Sequence, residues 1–161
     1  VLDHSRLFHI GIRVADLAAA MDEVGPRCGV TWASVQDRPM AVWLPTEGPV
    51  VLQLALTYSV EGPVHLELMQ GPVGSIWDGN DAPGAHHFGY WSDDVRADTE
   101  SLLADGWTLE LAANAPDEGY GRFTYVRSPQ GYLVEPVSIG AKPRFERWWA
   151  GGSLSDPVPA A

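Results

Sequence analysis

Between Leu7 and Val14 apolar side chains fall at every second position. Phe8, Ile10, Ile12 and Val14 share one face, and Leu7, His9, Gly11 and Arg13 share the other. Period two marks a strand with one packed face. The pattern then changes: Asp16 offers an N-cap, and Leu17, Ala20, Met21 and Val24 follow at helical spacing until Pro26, which is expected to stop the helix. Strands are predicted over 30–36, 40–44, 51–58 and 64–69. Residues 70–85, rich in Gly, Pro and Asp, read as a connector. A second round follows. Residues 87–91 form a strand, Asp94 caps a helix lined by Val95, Thr99, Leu102 and Leu103, and Gly106 ends it. Strands at 107–112, 122–127 and 132–138 complete the pattern. After Gly140 comes a tail in which Phe145, Trp148 and Trp149 suit a short helix, and 153–161 reads as disordered.

The two rounds are related in sequence. The segment from His9 to Leu17 lies on that from His87 to Val95 without a gap, at an offset of 78, matching His9 with His87, Gly11 with Gly89 and Asp16 with Asp94. A looser match pairs Glu67 with Glu135 at an offset of 68. One domain over 1–140 is expected, with halves at about 5–70 and 86–140, a connector at 71–85 and a tail at 141–161. The order of the repeated polar residues is His, Glu, His, Glu.

Alternation assigns faces to these four. His9 lies opposite Phe8 and Ile10, Glu67 sides with His65 and Met69, His87 with Gly89 and Trp91, and Glu135 with Leu133 and Val137. A carboxylate on the inner face of a curved sheet needs a partner, because burying it alone is too costly. Two imidazoles and two carboxylates converging on one cation meet that need, and mixed N/O ligation suits Zn, Ni, Co, Mn or Fe(II). Taken singly, a strand histidine is more often structural and a lone strand Glu more often solvated. The in-register repeat favours the joint reading.

Composition narrows the partners. With 21 acidic residues against 10 basic, the formal charge of −11 repels phosphate backbones and anionic surfaces, so neither nucleic acid nor membrane is an expected partner. The basic residues do not cluster along the chain, only Arg144 and Arg147 standing close. Cys28 is the single cysteine, which excludes an intrachain disulfide and fits a reducing compartment, with the cytoplasm as the default. Seven Trp is high for this length; Trp43, Trp77, Trp91 and Trp107 are candidates to line a pocket, Trp91 foremost by its face, although core packing is as good an account of any one of them.

The paired blocks FHIGIRVADL and HHFGYWSDDV, with HLELMQGP and GYLVEPVS, resemble the vicinal-oxygen-chelate superfamily over about residues 7–140. That superfamily includes glyoxalase I, methylmalonyl-CoA epimerase, extradiol dioxygenases and the fosfomycin- and bleomycin-resistance proteins. The resemblance implies an α+β fold of two βαβββ modules forming a cupped, partly open mixed-sheet barrel around one divalent metal ion. It also implies a homodimer. The family's ligand positions fall on His9, Glu67, His87 and Glu135. Within the His86-His87 pair the repeat selects His87, leaving His86 on the helix side or as a neighbour that tunes the site.

A fourth ligand at Glu67 resembles the glyoxalase and epimerase branch. The reaction implied is proton transfer beside a carbonyl of a small, apolar or ring-bearing substrate: a lyase, isomerase or epimerase with Glu67 or Glu135 as base. Epimerases carry an additional acid on the strand before the second ligand, where residues 50–56 offer only Gln53, so a two-base mechanism is not expected. Arg13, on the face of His9, is placed to meet a substrate carboxylate. Arg13, Trp91, Gln53 and Trp43 make up the expected pocket. Arg38, Arg122 and Arg127 are further candidate anchors for an anionic substrate, too few to favour glyoxalase activity on a glutathione conjugate. The alternatives are a non-catalytic, drug-sequestering protein and a ring-cleaving dioxygenase of the extradiol type.

Overall fold

The computed structural model describes residues 2–154. Its elements run strand, helix and three strands, twice: β1 (Leu7–Arg13), α1 (Leu17–Cys28), β2 (Gln36–Leu44), β3 (Gly48–Tyr58), β4 (His65–Gln70), then β5 (Gly84–Ser92), α2 (Val95–Ala104), β6 (Thr108–Ala112), β7 (Thr124–Arg127) and β8 (Leu133–Ser138). A last helix, α3 (Lys142–Trp149), follows β8. The eight strands form a ring in the order β1-β4-β3-β2-β6-β7-β8-β5. The seam between β2 and β6 is held by the single pair Trp43 and Ala112. This α+β barrel is thus closed all round but joined by one residue pair on one side.

The sequence repeat is a structural one. Asp16 accepts a hydrogen bond from the Ala19 N–H at 2.9 Å, and its counterpart Asp94 accepts from Ala97 at 3.0 Å, so both strand-to-helix corners use the same cap. In the ring, β4, β1, β5 and β8 are neighbours. Gly11 pairs with Glu67 on β4 and with His87 on β5. Gly89 pairs with His9 on β1 and with Glu135 on β8. Two short rows, Glu-Gly-His and His-Gly-Glu, therefore cross the centre of the sheet side by side.

Four expectations need correction. Pro26 does not stop α1, which continues to Cys28 and ends on Gly29 in the left-handed conformation. Pro26 lies in the last turn, and the left-handed Gly29 supplies the C-terminal cap beyond it. Residues 30–36 are not a strand. Trp32 makes only an isolated bridge to Ser59, and the segment is tied instead by Ala33 N–H to the Tyr58 carbonyl (2.9 Å) and the Thr57 hydroxyl to the Ala33 carbonyl (2.8 Å). β2 starts at Gln36 and runs through Pro39, which is tolerated because β2 meets β6 only at Trp43 and is otherwise an edge.

Phe8 does not share the face of Ile10 and Ile12. The β1–β5 register shifts between Leu7 and His9, and the extra residue turns Phe8 inward to stack on Trp91 at a ring separation of 3.6 Å. Leu7 instead packs in the layer containing Leu102 and Leu103 of α2. In the tail, the predicted helix is α3, but Ser153 and Leu154 are ordered parts of the fold and Leu154 is buried. The remainder of the segment read as disordered, 155–161, lies outside the described residues.

α3 closes one end of the barrel. Trp148 is fully buried, and its indole N–H donates to the Ser34 carbonyl (2.8 Å) and hydroxyl (3.0 Å). Phe145, Trp148 and Trp149 pack edge-on or tilted against Tyr58. Among the described residues, no helix is long and apolar enough to cross a membrane.

Candidate metal centre

Strand register carries His9, Glu67, His87 and Glu135 to one point. His9 and His87 are wholly buried, and Glu67 and Glu135 are 5% and 8% exposed. The two imidazole Nε2 atoms are 2.8 Å apart. Glu135 Oε2 lies 3.0 Å from His9 Nε2 and 3.2 Å from His87 Nε2, and Glu67 Oε2 lies 3.4 and 3.2 Å from the same two nitrogens.

Such a cluster has a physical requirement. Metal bonds to nitrogen or oxygen of about 2.0–2.2 Å put adjacent ligand atoms of a tetrahedral or octahedral site about 2.8–3.6 Å apart. The observed separations, 2.8–3.4 Å, fall in that range. Glu67 Oε2 is buried and makes no aligned hydrogen bond, with the imidazole nitrogens standing 3.2 and 3.4 Å away, a costly state for a carboxylate oxygen that a cation relieves. The donor set of two imidazoles and two carboxylates fits a divalent ion of the Zn, Ni, Co, Mn or Fe(II) type. His9, His87 and Glu135 are the most compact part, their ligand atoms lying 2.8–3.2 Å from one another.

The electrostatics are strongly polarised. Burial works to lower the His87 imidazole, but Glu135 and Glu67 outweigh it and raise it to about 9. For Glu135 burial raises the carboxyl, while His87 and His9 outweigh it and bring it to about 2. Burial, reinforced by the neighbouring His87, pushes His86 down to about 2, so this ring is neutral. His86 occupies the register shift of β5, and its Nδ1 is 3.0 Å from His87 Nδ1. It is thus a buried neighbour that orients the His87 ring, not a helix-side residue.

Beside the cluster opens a cavity with Glu67 and Glu135 in its wall. Two tyrosines flank them. Burial first, then the charges of Glu67 and Glu135, raise the Tyr58 and Tyr125 hydroxyls well above their usual value, which keeps both as proton-bearing donors. Leu54, Leu56, Phe123 and Phe145 supply an apolar wall. Arg38, Arg122 and Arg144 also line it.

None of the four expected pocket residues lines this cavity. Gln53 is exposed on the outside of β3 and donates to Asp37 at 2.6 Å, because period two turns Leu54, Leu56 and Tyr58 inward. Trp43 sits at the β2–β6 seam while Val42 takes the buried position. Trp91 does point inward, as predicted, but it is covered by Phe8 and does not line the cavity. Arg13 donates to the Ile76 carbonyl at 3.3 Å and is likewise outside the lining. Of the other Trp candidates, Trp77 reaches the cavity, and Trp107 packs in the layer with Leu102 and Leu103. Of the further anchors, Arg38 and Arg122 reach it, whereas Arg127 pairs with Glu110. Tyr58, Tyr125 and Arg144 were missed. The phase of β3 from Leu54 and Leu56 signals Tyr58; nothing local signals Arg144.

Comparison with known proteins agrees with this fold. A family model described as the glyoxalase/bleomycin resistance protein/dioxygenase superfamily matches residues 8–125. Among solved structures, a variant of Streptomyces coelicolor methylmalonyl-CoA epimerase in complex with 2-nitronate-propionyl-CoA is similar at a TM-score of 0.57 and 20% identity, over 98% of this chain and 100% of that one. Methylmalonyl-CoA epimerase from Mycobacterium tuberculosis is similar at 0.56 and 20%, over 86% and 92%. A mutant 4-hydroxymandelate synthase from Streptomyces coelicolor is similar at 0.54 and 15%, over 82% of this chain and 48% of that one. At these identities the likeness establishes the fold. Among curated proteins, none matches the chain in sequence.

Proposed function

The chain belongs to the glyoxalase/bleomycin resistance protein/dioxygenase superfamily, and from that premise we propose that it is a divalent-metal-dependent isomerase, epimerase or lyase. It acts by proton transfer at a carbon beside a carbonyl of a small substrate. His9, Glu67, His87 and Glu135 hold the ion. The observation that carries this reading is the meeting of four buried ligand-type atoms within 3.4 Å of the imidazole nitrogens, beside an apolar cavity.

A divalent ion in this position supplies Lewis-acid polarisation of a carbonyl oxygen. The protein's own groups do the rest. Glu67 is the better placed base, since its Oε2 lies 3.4 Å from His9 Nε2 against 3.0 Å for Glu135 and is the more weakly held of the two. Tyr58 and Tyr125, kept protonated, present O–H donors towards a substrate oxygen. The walls of Leu54, Leu56 and Phe145 exclude water, which strengthens each of these interactions. The inward residues of β3 are leucines and a tyrosine, with no carboxylate, so one-base isomerisation or lyase chemistry is favoured over two-base epimerisation.

The test is metal content by elemental analysis of wild type, His87→Ala and Glu67→Ala, followed by solvent deuterium exchange into candidate carbonyl compounds. About one equivalent of metal, lost in both variants, together with exchange that depends on it, supports the reading. Metal retained in Glu67→Ala moves the reading to a three-ligand, dioxygenase-type site. Tight ligand binding without exchange favours a sequestering protein.

A further inference from the structure

Three of the chain's ten basic residues meet in the cavity, although 84 and 22 residues of sequence separate them in turn. Arg38 comes from β2, Arg122 from the segment before β7, and Arg144 from α3. Among the described residues none of the three pairs with a carboxylate, whereas Arg6, Arg96 and Arg127 each do. Arg38 is half-buried with its Nε lacking any acceptor. Burial, then the like charges of Arg122 and Arg144, lower it, so the three guanidiniums feel one another. Arg144 is held in place through Nε and Nη2, which donate to the Leu154 carbonyl at 3.2 and 2.8 Å.

A protein of net charge −11 that gathers three guanidiniums in an apolar cavity, with no carboxylate between them, accepts mutual repulsion there. An anion relieves it. The register gives the spacing. Arg38 pairs with Leu54, four residues along β3 from Tyr58, the partner of Glu67, which is about 13 Å of strand. The Arg122 carbonyl accepts from Ser138 N–H, three residues along β8 from Glu135, about 10 Å. The cavity is thus bipolar: carboxylates and imidazoles at one end, guanidiniums at the other, apolar wall between.

We propose that Arg38, Arg122 and Arg144 form the binding site for an oxyanion group of the substrate, a carboxylate or phosphate joined through an apolar body to the reacting carbonyl. This rests on the metal-dependent reading above and adds the substrate class to it. Guanidiniums suit the part because their planar fork matches both oxyanions.

The test is calorimetric titration of metal-loaded protein with 3-phenylpropionate, phenethylphosphonate and the neutral 3-phenylpropanamide. Metal content is read on the same samples. Both anions are expected to bind at least tenfold more tightly than the amide. Arg122→Met, at an exposed position, and Arg38→Met are expected to reduce that preference to less than threefold with metal content unchanged. The stronger of the two anions identifies the group as carboxylate or phosphate. Equal binding of amide and anions overturns the proposal. So does a preference that survives both variants yet vanishes when the metal is removed, since the anion then sits on the ion. Anion binding by protein that takes up no metal leaves this site standing and sinks the metal reading, so the two fail separately.

Discussion

Gly11 stands directly across the β1–β5 seam from His87, and a methyl group on it would lie 2.1 Å from the imidazole Cε1. Gly89 has the same relation to His9, at 1.8 Å. The imidazoles thus occupy space that any other residue would fill, and that explains why the repeat carries a glycine two residues after each histidine. Gly11→Ala is expected to displace the His87 ring and weaken metal binding about 10–100-fold, as loss of a group that orients a ligand does. Competition with a metallochromic chelator measures it. An affinity within twofold of wild type would show that the ring does not need this gap.

Those glycines also show what was legible in the sequence. The match of His9 with His87 and Gly11 with Gly89 marked the two central strands and put each histidine on one face with its glycine, because side chains two apart share a face; the register, which sets each glycine across from the other histidine, came only with the fold. The faces of Glu67 and Glu135 followed from the same period. Phe8 was misassigned because a bulge, which alternation cannot foresee, adds one residue to the ladder. Gln53 and Trp43 were chosen for their chemistry without a phase for their strands; the apolar Leu54, Leu56 and Val42 take the inward positions. Arg38 and Arg122 are nameable singly as anchors, but their meeting with Arg144 is not legible, because the three are distant in sequence and come together only when the ring closes and α3 folds back.

Metal removal is expected to lower thermal stability. An ion that binds the folded chain alone stabilises it by about 2.7 kcal/mol at a hundred times its dissociation constant. For a chain of this size that corresponds to about 5–10 °C in Tm. Wild type melted with and without EDTA is expected to show this gap, and His87→Ala is expected to show none. A gap of the same size in His87→Ala would place the stabilising ion elsewhere.

Trp148 anchors α3 over the end of the barrel. Trp148→Ala removes a fully buried indole and two hydrogen bonds to Ser34, and a large-to-small change of this kind costs about 3–5 kcal/mol. Because Phe145 and Arg144 lie on the same helix and line the cavity, ligand binding is expected to fall with stability. Urea unfolding gives the first quantity. A loss below about 1 kcal/mol would mean that α3 is held by other contacts.

Tyr125 separates structural from chemical contributions at the site. Its hydroxyl accepts the indole N–H of Trp77 at 3.2 Å, and its ring lies 4.7 Å from that of His87. Tyr125→Phe leaves the Trp77 N–H, wholly buried, without an acceptor, at a cost of about 1–3 kcal/mol. The phenol is not among the four metal-directed groups, so metal content is expected to stay at the wild-type level. If its O–H also serves a substrate oxygen, deuterium exchange falls about tenfold or more, the loss expected when one donor of a charge-stabilising pair is removed. A drop in exchange with full metal occupancy assigns the hydroxyl to the reaction. A drop in stability alone confines Tyr125 to holding Trp77, and leaves Tyr58 as the donor beside Glu67.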